Sequence, residues 1–142
     1  MAEGAKRQFD FDSAEAGEDL GSYEYVLTRE MLDRYRESVD DPEAVFATIA
    51  VKHDATAFLM VYDDATGNVN AGNEVEFFNE PIPGKRITVR ATLADKYHRR
   101  DRPYIVLEAT AEDEDGRLLE RVRTYQLKKP DELGRKWNPQ GA

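Results

Sequence analysis

Hydrophobic and polar positions follow two different periods along the chain, and the change from one to the other divides it. Tyr23 to Leu27 can form a short strand. Thr28 then stands where a helix N-cap belongs, its hydroxyl available to an orphan amide. Met31, Leu32, Tyr35 and Val39 follow at spacings of one, three and four, which place them on one helical face. Asp40-Asp41-Pro42 ends that helix, because Pro42 restricts Asp41 to extended or turn geometry. A second helix is expected from Ala55 to about Ala65, capped by Asp54 and closed near Gly67. It is apolar almost all round, as suits a helix held inside a sheet. Phe58 to Tyr62 also fits a short buried strand.

From residue 70 the period is two. Val75 and Phe77 alternate with Glu74 and Glu76, and Pro81-Ile82-Pro83-Gly84 makes a bend, with Gly84 supplying the positive φ of a type II turn. Ile87, Val89, Ala91 and Leu93 form one inward row, and Ile105, Leu107, Ala109 and Ala111 the next. Lys96 to Pro103 is a charged connection. Asp115-Gly116 predicts a type I′ hairpin, and Leu118 to Leu127 the returning strand. The sum is an α+β domain: one early strand, two helices, then four strands with three antiparallel links. Val106, Val122 and Tyr125 are expected on the other side or edge of the sheet, where a second copy or a relative would cover them.

The flanks differ in composition. Residues 1–21 are acidic and rich in Gly and Ala, with Phe9, Phe11 and Leu20 as the available anchors, and read as a flexible lead. Residues 22–129 hold the domain. Residues 130–142 read as a tail in which Trp137 can pin the chain to a surface.

The 142 residues suit one domain. No cysteine is present, which removes disulfides, a thiol nucleophile and thiolate metal sites. Two histidines far apart do not make a metal cluster. The net charge of -9 repels phosphate backbones, so nucleic acid is not the expected partner. No apolar run is long enough to span a bilayer. The acidic first twenty residues lack the apolar core of a secretory signal. A cytoplasmic protein is expected. Phosphate-binding loops, zinc-protease helices and serine-hydrolase elbows are absent as motifs.

The order of elements resembles the hotdog fold, an antiparallel sheet wrapped around a central helix, and in particular the MaoC-like acyl-CoA hydratase/dehydratase family in its N-terminal-type domains. The resemblance rests on Tyr25-Val26-Leu27-Thr28 with the helix ending at Val39-Asp40-Asp41-Pro42, and on the segment from Asn73 to Val89 with its Pro-Ile-Pro-Gly turn. It rests also on Asp95-Lys96-Tyr97-His98-Arg99-Arg100 with the later Asp115-Gly116 hairpin. It covers roughly residues 22–128. Active members carry an Asp-x-Asn-Pro-x-His segment after the first helix. Here Asp40-Asp41-Pro42-Glu43-Ala44-Val45-Phe46 occupies that region: Asp40 can stand in for the aspartate, but no histidine follows.

The resemblance therefore implies a subunit that shapes an acyl tunnel while a paired, related hotdog supplies the catalytic Asp and His. The ligand would be an acyl-CoA or other acyl thioester, with coenzyme A as part of the substrate and no cofactor. Two other functions fit: a self-sufficient homodimeric hydratase or thioesterase using Asp40 or His53, and a non-enzymatic acyl-thioester binding module. His53, beside Asp54, is the better placed histidine, and His98 sits in the charged turn. Lys96, His98, Arg99, Arg100 and Arg102 form a basic cluster that is either a solvated hairpin tip or a contact for coenzyme A phosphates, with Lys96, Arg99 and Arg100 the candidates, since cations pair with phosphate and guanidinium groups do so in bidentate fashion. Asn73 is a candidate for a carbonyl. Glu74, Glu76 and Glu80 read as the wet face of a half-buried strand.

Overall fold

A computed structural model describes residues 6–42, 52–63 and 69–128. The segment from Glu43 to Phe46, the expected closing glycine Gly67 and the residues around Trp137 lie outside the described residues, whereas the helix expected to run to about Ala65 stops at Val61, with Tyr62–Asp63 a strand.

The period-two rows form the sheet. β2 (Glu18–Val26), β4 (Val69–Phe77), β5 (Arg86–Arg99), β6 (Arg102–Asp113) and β7 (Leu118–Leu127) pair antiparallel in the order β2-β5-β6-β7-β4. β1 (Arg7–Gln8) and β3 (Tyr62–Asp63) make a separate short parallel pair. Register shifts at Asp19/Gly21, Asn70/Gly72, Leu93/Asp95 and Ala111/Glu112 each place an extra residue in one strand, and such bulges bend a sheet. The curled sheet holds α2 (His53–Val61), which packs against β2, β5, β6 and β7. Both predicted inward rows are buried, with Val89, Leu93, Ile105 and Leu107 fully inaccessible.

α1 (Arg29–Ser38) begins as expected, with Thr28 Oγ1 accepting from Met31 N at 3.1 Å. It lies on the surface: Leu32 is its buried residue, and Val39, at the C-cap, is exposed. Asp40 has φ 54°, and the Asp40 and Asp41 amides donate to the carbonyls of Glu37 and Arg36. These are the two bonds of a Schellman ending, built here with Asp where Gly is usual.

Several particulars differ from the sequence reading. α2 starts at His53, so Asp54 sits inside its first turn instead of capping it, and the segment to Val61 is helix, not strand. Ala57 and Phe58 are buried, but Leu59 and Met60 are 46% and 53% exposed, so one side of the central helix is open in the single chain. Val122 belongs to the core, because Ala109 pairs with it and both face α2. Val106 is buried as well.

The lead is packed from Phe9 onward. Phe9, Phe11, Ala14 and Leu20 are buried, and Phe9 meets the rings of Phe58 and Tyr62 edge-on at 5.3 and 5.2 Å. Lys128 is buried beneath it, its ammonium 4.2 Å from the Phe9 ring centroid.

Finally, the turn types trade places. Only Gly116 has positive φ at the β6–β7 hairpin, and Asp113 bonds the amides of Asp115 and Arg117 through its side chain, which makes a longer turn than type I′. The tight turn with two positive φ values is Arg100-Asp101, between β5 and β6. Gly84 does take positive φ, and its amide donates to Leu27 O at 2.8 Å, tying the β4–β5 connection to the end of β2.

Candidate functional site

The first turn of α2 carries a polar cluster into the core. His53 is 2% exposed, and Asp54 and Glu120 are fully inaccessible. The sheet explains why they meet. Glu120, Val122 and Thr124 share the inward parity of β7, opposite Ala111, Ala109 and Leu107. Tyr23 and Tyr25 reach in from β2, opposite Val89 and Ile87.

His53 Nδ1 bonds to Glu120 Oε1, and His53 Nε2 lies 2.6 Å from the Tyr25 hydroxyl. With Nδ1–H donating to the Glu120 carboxylate, Nε2 is the acceptor for the Tyr25 hydroxyl. The order is carboxylate, imidazole, phenol. The Tyr23 hydroxyl donates to His53 O at 3.4 Å, and the two tyrosine rings stack at 6.2 Å. A second chain starts at Asp54, whose Oδ1 accepts from Ala55 N at 2.7 Å and from Thr124 Oγ1 at 2.9 Å. Asn73 Nδ2 donates to Thr124 Oγ1 at 2.7 Å. Together the two chains reach from β2, one edge strand, to β4, the other. Among the described residues, Asp54 Oδ2 and Glu120 Oε2 have no hydrogen-bond partner.

The electrostatics follow from burial. Desolvation lifts the Asp54 carboxyl from 3.8 to about 6, against the bonds from Thr124 and the backbone, with the Glu120 charge adding to the rise. The Tyr23 phenol is pushed up to about 12, mainly by burial. Burial lifts Tyr25 further, with Tyr23 and Glu120 contributing. Both phenols therefore keep their protons at neutral pH and act as donors. Chemically, the cluster can hold, pass and release protons.

The candidates read from sequence separate into different places. His53 is the centre of the cluster. Asn73 belongs to its second chain. Asp40 forms the end of α1 and lines a cavity of about 350 Å³ with Asp33, Arg36, Glu37, Asp41 and Pro42, and no histidine is among these. Lys96 donates to the carbonyls of Phe11 and Asp12 at 2.8 and 3.0 Å, so its ammonium holds the lead in place. His98 packs edge-on against Phe11 at 5.1 Å. Arg99 and Arg100 are exposed at the β5–β6 tip. Asn73 stands in register with Thr124, Leu107 and Leu93, three strands across and six residues short of Arg99, roughly 25 Å away. These four do not form one ligand pocket.

Glu76 pairs with Arg121, and Glu74 accepts from the Tyr125 hydroxyl at 2.7 Å. With Glu108 and Arg123, paired at 3.2 Å, they line an outer-face cavity of about 280 Å³. Charge pairing on the wet face, not acid–base chemistry, accounts for these carboxylates. Sequence reading does not single out Glu120, Tyr25 or Thr124 as site residues. The parity set by Val122 is the available signal, since it turns Glu120 and Thr124 inward.

No family model and no curated sequence matches the chain, and its likenesses are to solved structures. The protein is a hotdog-fold domain, a five-stranded antiparallel sheet around a central helix. Among the hotdogs it is similar to MaoC-like and hydratase/dehydratase structures. The 3R-hydroxyacyl-ACP dehydratase complex HadBC of Mycobacterium tuberculosis superposes with a TM-score of 0.65 at 16% identity, over 81% of this chain and 98% of that one. A MaoC-like dehydratase from Rhodospirillum rubrum gives 0.61 at 16% identity, over 84% and 96%. An R-hydratase from Pseudomonas aeruginosa gives 0.64 at 12% identity, over 87% of each chain. Hotdog proteins described as thioesterases are similar as well.

Proposed function

We propose that this chain is a hotdog subunit of the hydratase/dehydratase class, acting on acyl thioesters as one half of a pair. The observation that carries the reading is the polar cluster at the start of α2, set inside an otherwise apolar sheet. An enoyl or 3-hydroxyacyl thioester asks for that combination: apolar walls for the chain, and proton-handling groups where water is added or lost. The structural likeness to dehydratases and hydratases supports the class.

Pairing is supported by what the single chain leaves uncovered. β4 is an edge strand with Val69 and Phe77 exposed, and Phe78, Leu59 and Met60 are exposed too. An open strand edge and apolar side chains together favour a second copy or a related hotdog. In the first form of the reading, the partner supplies the loop Asp and His. His53 is sealed from solvent with both ring nitrogens engaged, and the segment after α1 carries Phe46 where a proton carrier would be needed. A second form is favoured by one specific observation, the hydrogen-bonded order Glu120–His53–Tyr25: the chain handles protons itself. Coenzyme A phosphates fit Arg99 and Arg100 at the exposed tip, whereas Lys96 is engaged elsewhere. A cytoplasmic location suits such a substrate.

The test is hydration of crotonyl-CoA and longer enoyl-CoAs by the purified chain, alone and together with whatever hotdog protein co-purifies. Turnover in either preparation supports the class. Absence of both turnover and enoyl-CoA binding would remove it.

A further inference from the structure

We infer that Tyr25 is a catalytic acid–base group of this chain, driven through His53 by Glu120. The inference rests on the second form of the proposed reading and names the atoms that would act.

Three observations converge. The first is order: carboxylate to Nδ1, Nε2 to phenol, so that a proton arriving at one end has a defined acceptor at each step. The second is access. Glu120 is fully inaccessible and His53 is 2% exposed, while Tyr25 is only partly buried on edge strand β2. Of the three side chains Tyr25 is the one not sealed from solvent, which is why the substrate contact is assigned to it. The third is the unpartnered Glu120 Oε2. A core carboxylate that only held a histidine in place would be expected to satisfy both oxygens. This one keeps an acceptor in reserve beside an imidazole that must accommodate positive charge.

The step balances without any added reagent. In dehydration of a 3-hydroxyacyl thioester, the α-proton passes to the Tyr25 oxygen as the phenolic proton passes to His53 Nε2. The imidazolium is held by Glu120. The α-carbon electron pair forms the new C=C bond as the β C–O bond breaks. The departing oxygen takes a proton from Tyr25, which recovers one from His53. Water and the enoyl thioester leave, and the centre is as it began. Hydration is the reverse. The reaction needs a proton carrier at the substrate and a sink behind it, which is the arrangement in which buried acid–base pairs work.

The experiment compares the wild-type chain with Tyr25→Phe, which removes one oxygen and keeps the ring, and with Glu120→Gln. Circular dichroism and thermal melting confirm folding. Binding of crotonyl-CoA is measured beside turnover. The downfield Nδ1 proton of His53 is followed by NMR as a readout independent of activity. The expected result is crotonyl-CoA binding within about 3-fold of wild type in Tyr25→Phe, with kcat lower by about 100-fold or more. Crotonyl-CoA should also shift the His53 Nδ1 proton in the wild type but not in Tyr25→Phe. If Glu120→Gln does not fold, Tyr25→Phe alone decides. Turnover unchanged by Tyr25→Phe, whether in the isolated chain or in a complex, overturns the inference and leaves the partner-supplied form standing. So does ligand binding that leaves the His53 proton unmoved. No binding of acyl thioester at all removes the proposed function itself, and the inference with it.

Discussion

Replacing Asp54 with Asn changes the charge of the buried cluster and little else. The amide keeps an oxygen where Oδ1 accepts from Ala55 N and Thr124 Oγ1, and places a donor where Oδ2 has no partner. The expected consequence depends on pH in a fixed sense. The folded-state carboxyl is raised from 3.8 to about 6, so between those values the folded protein holds a proton that the unfolded chain has released. Stability from this group is full below pH about 4 and is lost as pH rises through about 6. A rise of that size corresponds to about 3 kcal/mol, a large share of the 5–15 kcal/mol that folds a domain.

The substituted amide does not titrate. The stability of Asp54→Asn relative to wild type should therefore climb by about 3 kcal/mol between pH 4 and pH 7 and then level off. Urea melts at half-unit steps from pH 4 to 8, with m-values compared to confirm two-state behaviour, measure this directly. A stability difference that is flat across the range, or that falls as pH rises, would refute the burial argument on which the site electrostatics rest.

Other expectations follow from particular contacts. Asp40→Gly should stabilise the protein by about 1 kcal/mol without affecting turnover, because glycine takes the positive φ at the end of α1 more readily; thermal melting and a hydration assay check both parts. Lys96→Met should cost about 1–2 kcal/mol and make residues 6–14 cleavable by protease, since it removes two charge-assisted bonds that hold the lead. Unchanged proteolysis would show that Phe9 and Phe11 suffice. Phe58→Ala should cost about 3–5 kcal/mol, as the ring fills the space between α2, Phe9 and Tyr62; a loss below about 1 kcal/mol in urea melts would place the core elsewhere. Replacing Arg99 and Arg100 with Ala should weaken coenzyme A thioester binding by calorimetry while leaving folding intact, and equal affinity would exclude the tip as the phosphate contact.

The sheet was legible because its signal is local. Ile87 to Leu93 and Ile105 to Ala111 alternate without interruption, and every residue of those rows is where its parity put it. The first helix was legible at both ends through Thr28 and through Asp40-Asp41-Pro42.

What local pattern could not show was set by distant partners. The lead looks loose by composition, yet Lys96 and Lys128 from the sheet hold its aromatic residues, contacts made across more than eighty positions of sequence. Arg100-Asp101 forms the tight turn because the long strands β5 and β6 bring their ends together there, and Asp115-Gly116 is relieved of that role by the Asp113 side chain. The site was half visible. His53 and Asp54 announce themselves as neighbours, but their partners Glu120, Thr124 and Tyr25 come from two other strands. A charged residue at an inward position of a strand, as Glu120 is, marks a buried polar partner more reliably than a pair adjacent in sequence.

The central claim is that this hotdog handles enoyl or 3-hydroxyacyl thioesters. Its most direct test follows the loss of the conjugated enoyl thioester absorbance when crotonyl-CoA and longer homologues meet the purified chain, alone and with its co-purified hotdog partner. The account predicts saturable hydration in at least one preparation. Enoyl-CoAs left unhydrated and unbound by both would contradict it.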